Sequence, residues 1–159
     1  DSKGGVSWLT GQDDDSENID SYSEFVKNID TILMGRNTYH QLITELSPDV
    51  WVYDDFITYV ITHEENVSSD KIIFANENPG ELIKKLKEQG GKGIWVCGGA
   101  DIVQQLVNEN LIDIYYITVI PTILGSGIRL FENGKNEIKL KLLHTQNYNG
   151  MIDLIYTRR

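Results

Sequence analysis

Two short segments of the sequence carry the residue types that bind phosphate groups. Each segment follows an apolar run, contains glycine and leads into a stretch with helical periodicity; they span residues 33–39 and 96–102. A helix N-terminus presents unpaired N–H groups and the positive end of the helix dipole, and together these bind phosphate. Glycine allows the backbone to approach the anion closely. The pair favours a ligand with more than one phosphate, although either segment alone is more often ordinary turn geometry.

Side chains in the first turn strengthen this interpretation. Arg36 offers a planar guanidinium group that suits phosphate oxygens, and Thr38 offers a hydroxyl group. Ligands of open α/β sheets bind at the carboxyl ends of the strands, and both turns are predicted to lie at such ends. We therefore predict that the two turns together hold a phosphorylated cofactor.

The composition limits the classes of partner. The chain has 159 residues and a net charge of −10, so its mean field repels nucleic acid and anionic membranes. Cys97 is the single cysteine, which excludes an internal disulfide and fits a reducing compartment. No apolar run approaches the roughly 20 residues that span a bilayer. No signal peptide opens the sequence, so we expect a cytoplasmic protein. Three scattered histidines and one cysteine match no metal-ligand motif, so no metal is expected.

The periodicity of apolar residues predicts an α/β fold. A helix is predicted from Ser21, with Glu24 completing a capping box and Ile29 on the apolar face. Further helices are predicted over residues 39–46, 78–90 and 101–108. Strands are predicted over residues 31–34, 56–61, 72–75, 93–97, 114–120, 137–144 and 151–157. Helices precede or separate most of the first four strands, whereas no helix is predicted between the last three. This pattern predicts a mostly parallel central sheet with helices on both faces and an antiparallel C-terminal edge.

An ordered set of motifs points to a family. In chain order the motifs are Gly35-Arg36-x-Thr38-Tyr39, Gly98-Gly99, Pro121-x-x-Leu124-Gly125-x-Gly127 and Leu130-Phe131. This set resembles the dihydrofolate reductase superfamily, and most closely the branch that contains the reductase domain of bacterial riboflavin biosynthesis and its stand-alone relatives. The resemblance covers nearly the whole chain. It implies a single dihydrofolate-reductase-like domain of three layers over residues 1–159.

The resemblance also implies a role for each matching position. It implies that the cofactor is NADPH and that its phosphates are held by Gly35, Arg36 and Thr38. The adenosine 2′-phosphate would lie against Thr62 and His63, and the pyrophosphate against the turn of Gly98, Gly99, Ala100, Asp101 and Ile102. On the substrate side, Thr118 would line the pocket and the loop of Trp8 would cover the nicotinamide. His63 as a surface loop residue and Thr118 as an ordinary strand residue remain open alternatives.

Two features depart from the family pattern. Folate reductases carry a catalytic carboxylate on the helix before the first glycine turn, and the equivalent position here is near Ser21, which is not an acid. Asp20 is our predicted catalytic acid, although a favourable charge at the start of a helix explains it more simply. The sequence opens at Asp1 with a loop-like segment and shows no counterpart of the family's first central strand. We expect the native protein to carry a further apolar strand upstream, and the alternative is that another segment takes its place.

These observations together predict an NADPH-dependent reductase. Hydride would pass to a C=N or C=O bond of a small pterin-like or aminopyrimidine-like heterocycle. The alternative is a non-catalytic module of the same fold that binds NADPH or another nucleotide. A homodimer is also expected, because riboflavin-type relatives are often dimers and both faces of the strand 114–120 are largely apolar. Nucleic acid and membrane partners are not expected.

Overall fold

Strands and helices follow one another along the chain largely as the apolar pattern predicts. The computed structural model of the chain describes residues 1–12, 21–132 and 137–159. Its helices are α1 (Ser21–Val26), α2 (Arg36–Gln41), which continues into a π-helical turn (Leu42–Leu46), α3 (Pro79–Gln89) and α4 (Ala100–Asn108). Its strands are β1 (Ile29–Gly35), β2 (Ile57–Ile61), β3 (Ile72–Ala75), β4 (Gly93–Gly98), β5 (Ile114–Val119), β6 (Leu140–Tyr148) and β7 (Met151–Arg158).

The chain divides into two compact units. One unit, Ser21–Leu111, contains α1–α4 and the parallel sheet of β1–β4. The other unit, Asp1–Asp20 with Ile112–Arg159, contains an antiparallel sheet of β5–β7. The predicted combination of parallel and antiparallel strands is confirmed, and the prediction of one domain over the whole chain stays a prediction. No helix in the described part of the chain is long and apolar enough to cross a membrane.

The parallel sheet has the strand order β3-β2-β1-β4. Its strand β1, which has a neighbour on each side, contains an uninterrupted apolar run over residues 32–34, as expected of a strand with both faces covered. Ile32 and Met34 point to one face and Leu33 to the other, and all three side chains are completely buried. Burial of such a side chain contributes roughly 1.5–3 kcal/mol, so this strand anchors the unit.

A cluster of aromatic rings packs on the face of the sheet that carries Ile32 and Met34. The centroid of Tyr53 lies 5.4 Å from that of Trp95 and 5.5 Å from that of Trp51, with near-perpendicular rings in both pairs. Such edge-to-face pairs add about 0.5–1.5 kcal/mol beyond area burial. Cys97 packs in the same cluster, and burial raises the pKa of its thiol. Cys97 therefore serves as a small apolar side chain of this core.

Helix α3 begins and ends where its sequence signals predict. The Asn78 side chain accepts hydrogen bonds from the N–H groups of Gly80 and Glu81 at 2.8 and 3.1 Å. Pro79 occupies the first turn, where a missing N–H costs nothing. Gly90 follows the last turn with φ of +74°, a conformation that favours glycine.

Two predicted boundaries are wrong. Ile29 was expected on the apolar face of the first helix, but α1 ends at Val26 and Ile29 pairs with Gly93 in the parallel sheet. The strand predicted over residues 137–144 runs instead from Leu140 to Tyr148. The reason for the second error is the dipeptide Asn149-Gly150, whose φ values of +45° and +74° form a tight two-residue turn. A turn of this kind sets the register, so β6 and β7 must pair right up to it.

Candidate functional site

The predicted cofactor residues gather at one edge of the parallel sheet. The register pairs Gly35 with Ile61, Ile61 with Ala75, and Met34 with Gly98, so all four strands end at nearly the same level. The residues that follow these strand ends therefore share one edge of the first unit. This edge is where open α/β sheets bind ligands.

The two glycine turns predicted to bind phosphate lie next to each other. Strands β1 and β4 are neighbours, so the turn after β1 adjoins the turn after β4. A Cβ atom built on Gly35 would lie 3.7 Å from the backbone nitrogen of Gly99 and 3.2 Å from Cδ1 of Ile102. A Cβ atom built on Gly99 would lie 3.5 Å from Oγ1 of Thr38. The Thr38 hydroxyl group of one turn thus faces the backbone of the other.

The backbone conformations of Gly98 and Gly99 differ in whether they require glycine. Gly98 has φ of +131°, which side chains of L-residues rarely adopt, and the peptide between the two glycines is cis. Gly99 has φ of −76° and ψ of −173°, an extended conformation open to any residue. The backbone therefore requires glycine at position 98 and does not require it at position 99. Gly99 matters for the open space that its missing side chain leaves beside Thr38.

Helix α4 presents uncapped N–H groups to the same place. Gly99 is its N-cap residue and supplies no side chain to cap it, so the N–H groups of Ala100 and Asp101 have no partner within the helix. Ile102 contributes mainly through packing, because its side chain is buried against Gly35. The Asp101 carboxylate accepts a hydrogen bond from Gln105 one turn along. The backbone of this turn therefore offers the donors that a phosphate group needs.

Charged and polar side chains occupy the neighbouring strand ends. Arg36 Nε lies 2.6 Å from Oε2 of Glu64, just past the end of β2. Thr62 is buried, and its Oγ1 accepts a hydrogen bond of 3.0 Å from the N–H group of Glu64. His63 is exposed, and its Nδ1 lies 2.7 Å from Oδ1 of Asn76 at the end of β3. The ion pair with Glu64 thus brings Arg36 to the strand end that carries Thr62 and His63, the two residues expected at the 2′-phosphate.

Sequence reasoning missed two members of this group, Glu64 and Asn76. Glu64 directly follows the predicted pair Thr62 and His63, and Asn76 directly follows a predicted strand. Both positions were therefore visible as strand ends. Their relevance depended on knowing that β1, β2 and β3 are adjacent in that order.

The donor set at this edge fits a phosphorylated dinucleotide. It combines uncapped helix N–H groups, the hydroxyl group of Thr38, the guanidinium group of Arg36 and open space at Gly99. These are the groups that bind phosphate in proteins. Within the ranges that the structure describes, no cluster of three or more His, Cys, Asp or Glu side chains could hold a metal ion.

The second unit contains one buried carboxylate, that of Asp153 on β7, which is surrounded by hydroxyl groups. Its carboxylate is completely buried and accepts hydrogen bonds from Oγ1 of Thr118 at 2.6 Å, Oη of Tyr116 at 3.1 Å and Oη of Tyr148 at 3.2 Å. Burial, and then the charge of Asp153, raises the pKa of Tyr116 to about 12. Thr118, predicted to line the substrate pocket, is thus an exposed residue whose hydroxyl group holds a buried acid.

Asp153 was not singled out from the sequence, although one signal was present. It is the one acidic residue within an otherwise apolar strand pattern over residues 151–157. A charged side chain at a buried strand position is expected only where polar partners satisfy it. Those partners come from β5 and β6, so they follow from strand pairing rather than from local sequence.

Two further predicted site residues have different outcomes. Trp8 is half-buried in the second unit, and its Nε1 donates a hydrogen bond of 3.0 Å to the carbonyl oxygen of Gly5. Its predicted role over the nicotinamide stays a prediction. Asp20, the predicted catalytic acid, lies outside the described residues.

The chain is similar in sequence to known proteins over most of its length. The family model of the RibD C-terminal domain matches residues 1–153. YwjB of Bacillus subtilis (strain 168) is 37% identical over 156 residues, which cover 98% of this chain and 87% of that protein. YyaP of the same organism is 31% identical over 145 residues, which cover 85% of this chain and 77% of that protein.

Solved structures share the fold. A Shewanella sp. PV-4 protein described as a riboflavin biosynthesis protein matches with a TM-score of 0.84 and 23% identity, over 100% of this chain and 90% of that chain. The diaminohydroxyphosphoribosylaminopyrimidine deaminase/5-amino-6-(5-phosphoribosylamino)uracil reductase of Thermotoga maritima matches with a TM-score of 0.67 and 12% identity, over 99% and 52%. At these identities the likeness establishes the shared fold alone.

The raised pKa of Tyr116 predicts a loss of stability in alkaline solution. The unfolded chain releases this proton near pH 10.0, whereas the folded chain holds it up to about pH 12. The contribution of Tyr116 is therefore fully present below pH 10 and is lost as the pH rises through about 12. Tyr116→Phe removes this dependence, so its unfolding free energy should fall less steeply with pH than that of wild type, as measured by denaturant titration.

Thr118→Val is the matched control for this measurement. It removes a hydrogen bond to the same buried carboxylate of Asp153 and should lower the unfolding free energy at neutral pH by about 1.5–3 kcal/mol. Because Tyr116 stays in place, its alkaline slope should equal that of wild type. Equal slopes for wild type and Tyr116→Phe would contradict the raised pKa.

Proposed function

The chain belongs to the RibD C-terminal domain family, and from this membership we propose that it is an NADPH-dependent reductase of a small heterocycle. The RibD C-terminal domain is the reductase domain of riboflavin biosynthesis, so the fold of this chain is of a reductase type. We propose a pterin-like or aminopyrimidine-like substrate. The name of the Thermotoga maritima protein, which includes a 5-amino-6-(5-phosphoribosylamino)uracil reductase, supports the aminopyrimidine class.

One observation carries the cofactor proposal, and it is the contact between the two glycine turns. The Thr38 hydroxyl group stands 3.5 Å from where a Cβ of Gly99 would lie, beside the uncapped start of α4. In the proposed complex the α4 N–H groups bind the pyrophosphate, and Thr38 donates a further hydrogen bond. Arg36, on the neighbouring strand end, binds the extra phosphate on the adenosine ribose.

The proposed reaction needs one hydride and one proton. When bound, NADPH supplies the hydride, which adds to the carbon of a C=N or C=O bond, and the nitrogen or oxygen of that bond takes up a proton. We keep Asp20 as the proposed proton donor. Thr118 is the proposed substrate-lining residue and Trp8 the proposed cover of the nicotinamide. The role of the phosphate contacts is to hold the cofactor in one orientation.

A direct assay separates the proposed enzyme from a binding module of the same fold. Purified protein is mixed with NADPH and a panel of pterins and aminopyrimidine nucleotides, and loss of NADPH absorbance is followed. Oxidation that requires one of these substrates supports a reductase. Tight binding of NADPH without oxidation in any mixture would favour the non-catalytic module.

Gly99→Ala should abolish or strongly weaken NADPH binding without unfolding the protein. Its new methyl group takes space beside Thr38 that the pyrophosphate needs, while the extended conformation at position 99 accepts alanine. Calorimetric titration measures the affinity, and circular dichroism checks the fold. Gly90→Ala is a control at an exposed helix end, where a Cβ meets nothing within 4 Å. It should lose some stability because of its φ of +74°, and it should still bind NADPH. Undiminished binding by Gly99→Ala would place the cofactor elsewhere.

Arg36→Ala should narrow the difference in affinity between NADPH and NADH. A charge-assisted contact to phosphate contributes about 1.5–3 kcal/mol, so NADPH should bind at least about tenfold more weakly to the variant. NADH lacks the 2′-phosphate and should change by less than about twofold. Lys71→Ala, a change of the same charge at an exposed residue before β3, is the control and should leave both affinities in place. An affinity ratio of NADPH to NADH that Arg36→Ala leaves unchanged would disprove this assignment of Arg36.

We also propose that the chain forms a homodimer through the antiparallel sheet. Val119 pairs with Ile152 on one face, and these apolar side chains are 47% and 43% exposed. Leu142, 51% exposed, pairs with Tyr156 further along the same face. Adjacent exposed apolar side chains of this kind mark interaction surfaces.

The mass in solution tests the dimer. Light scattering at micromolar concentration should give twice the chain mass for wild type, and Ile152→Lys should shift the mass toward that of one chain. Val67→Lys alters an apolar side chain that is 93% exposed in the other unit and should leave the dimer intact. A wild-type mass of one chain would refute the proposal.

A further inference from the structure

Glu64 is an acidic residue in a place proposed to bind phosphate. We propose that Glu64 limits the preference of this chain for NADPH over NADH by holding the Arg36 guanidinium group and by repelling the 2′-phosphate. This inference rests on the proposed function, since it concerns the same cofactor edge. It makes Glu64 a specificity-determining residue, to which neither the sequence pattern nor the resemblance assigned a role.

The pairing of Glu64 with Arg36 follows from the strand register. Gly35 pairs with Ile61, so the residues just beyond these positions on β1 and β2 lie side by side. Arg36 Nε reaches Oε2 of Glu64 at 2.6 Å, with the two side chains 39% and 58% exposed. Exposed ion pairs contribute little to folding stability, and water screens them. The pair can therefore open for a ligand at little cost to the fold.

Glu64 is held in this position by its own backbone. Its N–H group donates to Oγ1 of Thr62 at 3.0 Å, and the Thr62 N–H group donates to the carbonyl oxygen of Ala75 at 3.0 Å. Thr62 is 5% exposed, so packing restricts the movement of its side chain. His63, the next residue, is joined to Asn76 across the edge. The carboxylate therefore belongs to an ordered loop start next to the guanidinium group.

The charges at this edge do not form a strongly basic pocket. The cation at the end of β1 is Arg36, and Glu64 balances it. Glu65 adds a second negative charge directly after it, and Lys85 is paired with Glu77 beyond β3. A 2′-phosphate that enters here must displace the carboxylate of Glu64 from Arg36.

The carboxylate of Glu64 should interact unfavourably with NADPH and favourably with NADH. NADPH brings a phosphate group, which the carboxylate repels and with which it competes for Arg36. NADH brings a 2′-hydroxyl group, which donates a hydrogen bond to a carboxylate, as acidic residues accept from this hydroxyl group in many NAD-binding sites. A single side chain thus weakens one cofactor and favours the other. Replacing the carboxylate by an amide should release Arg36 for the phosphate.

Glu64→Gln tests the proposal with the full chain. Calorimetric titration should show NADPH binding about tenfold tighter than in wild type at low ionic strength, and NADH binding unchanged or weaker by about twofold. The gain should shrink as salt is added, because it is electrostatic. Glu65→Gln is the matched control, since it removes the same charge from the next residue and leaves the Arg36 pair in place. It should change both affinities by less than about twofold.

A double variant separates release of Arg36 from a general change of charge. In an Arg36→Ala background, Glu64→Gln should improve NADPH binding by only about twofold, because no guanidinium group remains to be released. Adenosine 2′,5′-bisphosphate and adenosine 5′-monophosphate serve as further probes that lack the nicotinamide. Glu64→Gln should tighten binding of the first and not of the second.

The outcomes distinguish this inference from the function on which it rests. If wild type binds neither dinucleotide, the proposed function fails and Glu64 loses its proposed role with it. If both dinucleotides bind but Glu64→Gln changes the ratio of their affinities no more than Glu65→Gln does, the proposed function stands. Only the role of Glu64 is then overturned. Circular dichroism and thermal melting confirm that the variants fold. A shifted ratio that also needs Arg36 supports the inference.

Discussion

The parallel pairing of β1 with both β2 and β4 is the constraint on which the candidate site depends. Backbone hydrogen bonds set the register in a parallel ladder, and here they bring all four strand ends to one level. Residues far apart in sequence, such as Gly35 and Gly98, thereby become neighbours. The complete burial of Ile32, Leu33 and Met34 on both faces of β1 fixes this arrangement, because a slip of one residue would expose apolar side chains.

Charge at this edge is balanced locally rather than by the chain as a whole. The net charge of −10 would repel a phosphorylated cofactor at long range, so binding must depend on close contacts. Uncapped N–H groups of α4 and the hydroxyl group of Thr38 offer such contacts without adding net charge. Arg36 is the charged group at this edge, and the carboxylate of Glu64 offsets its positive charge. In the proposed complex, an acidic protein thus retains a phosphate site whose affinity Glu64 adjusts.

The second unit has a different electrostatic feature, a carboxylate that is completely buried. Asp153 sits on the middle strand of an antiparallel sheet, and hydroxyl groups from both neighbouring strands satisfy it. Burial of a charged group without such partners would cost several kcal/mol. The fold is shared with a Thermotoga maritima protein at only 12% identity. Side-chain clusters such as this one are where members of a shared fold can differ.

The sequence by itself determined the alternation of strands and helices, the Asn78 cap, and the two glycine turns before α2 and α4. These features depend on residues within one or two turns of each other, where local hydrogen bonding and periodicity decide the conformation. Only the tertiary structure decided that Thr38 faces Gly99, that Glu64 pairs with Arg36, and that Asp153 is buried among hydroxyl groups. The start of β6 at Leu140 was decided in the same way, by pairing with β7 across a tight turn. Each of these contacts joins separate strands, and strand register is set by the packing of the whole sheet rather than by any one segment.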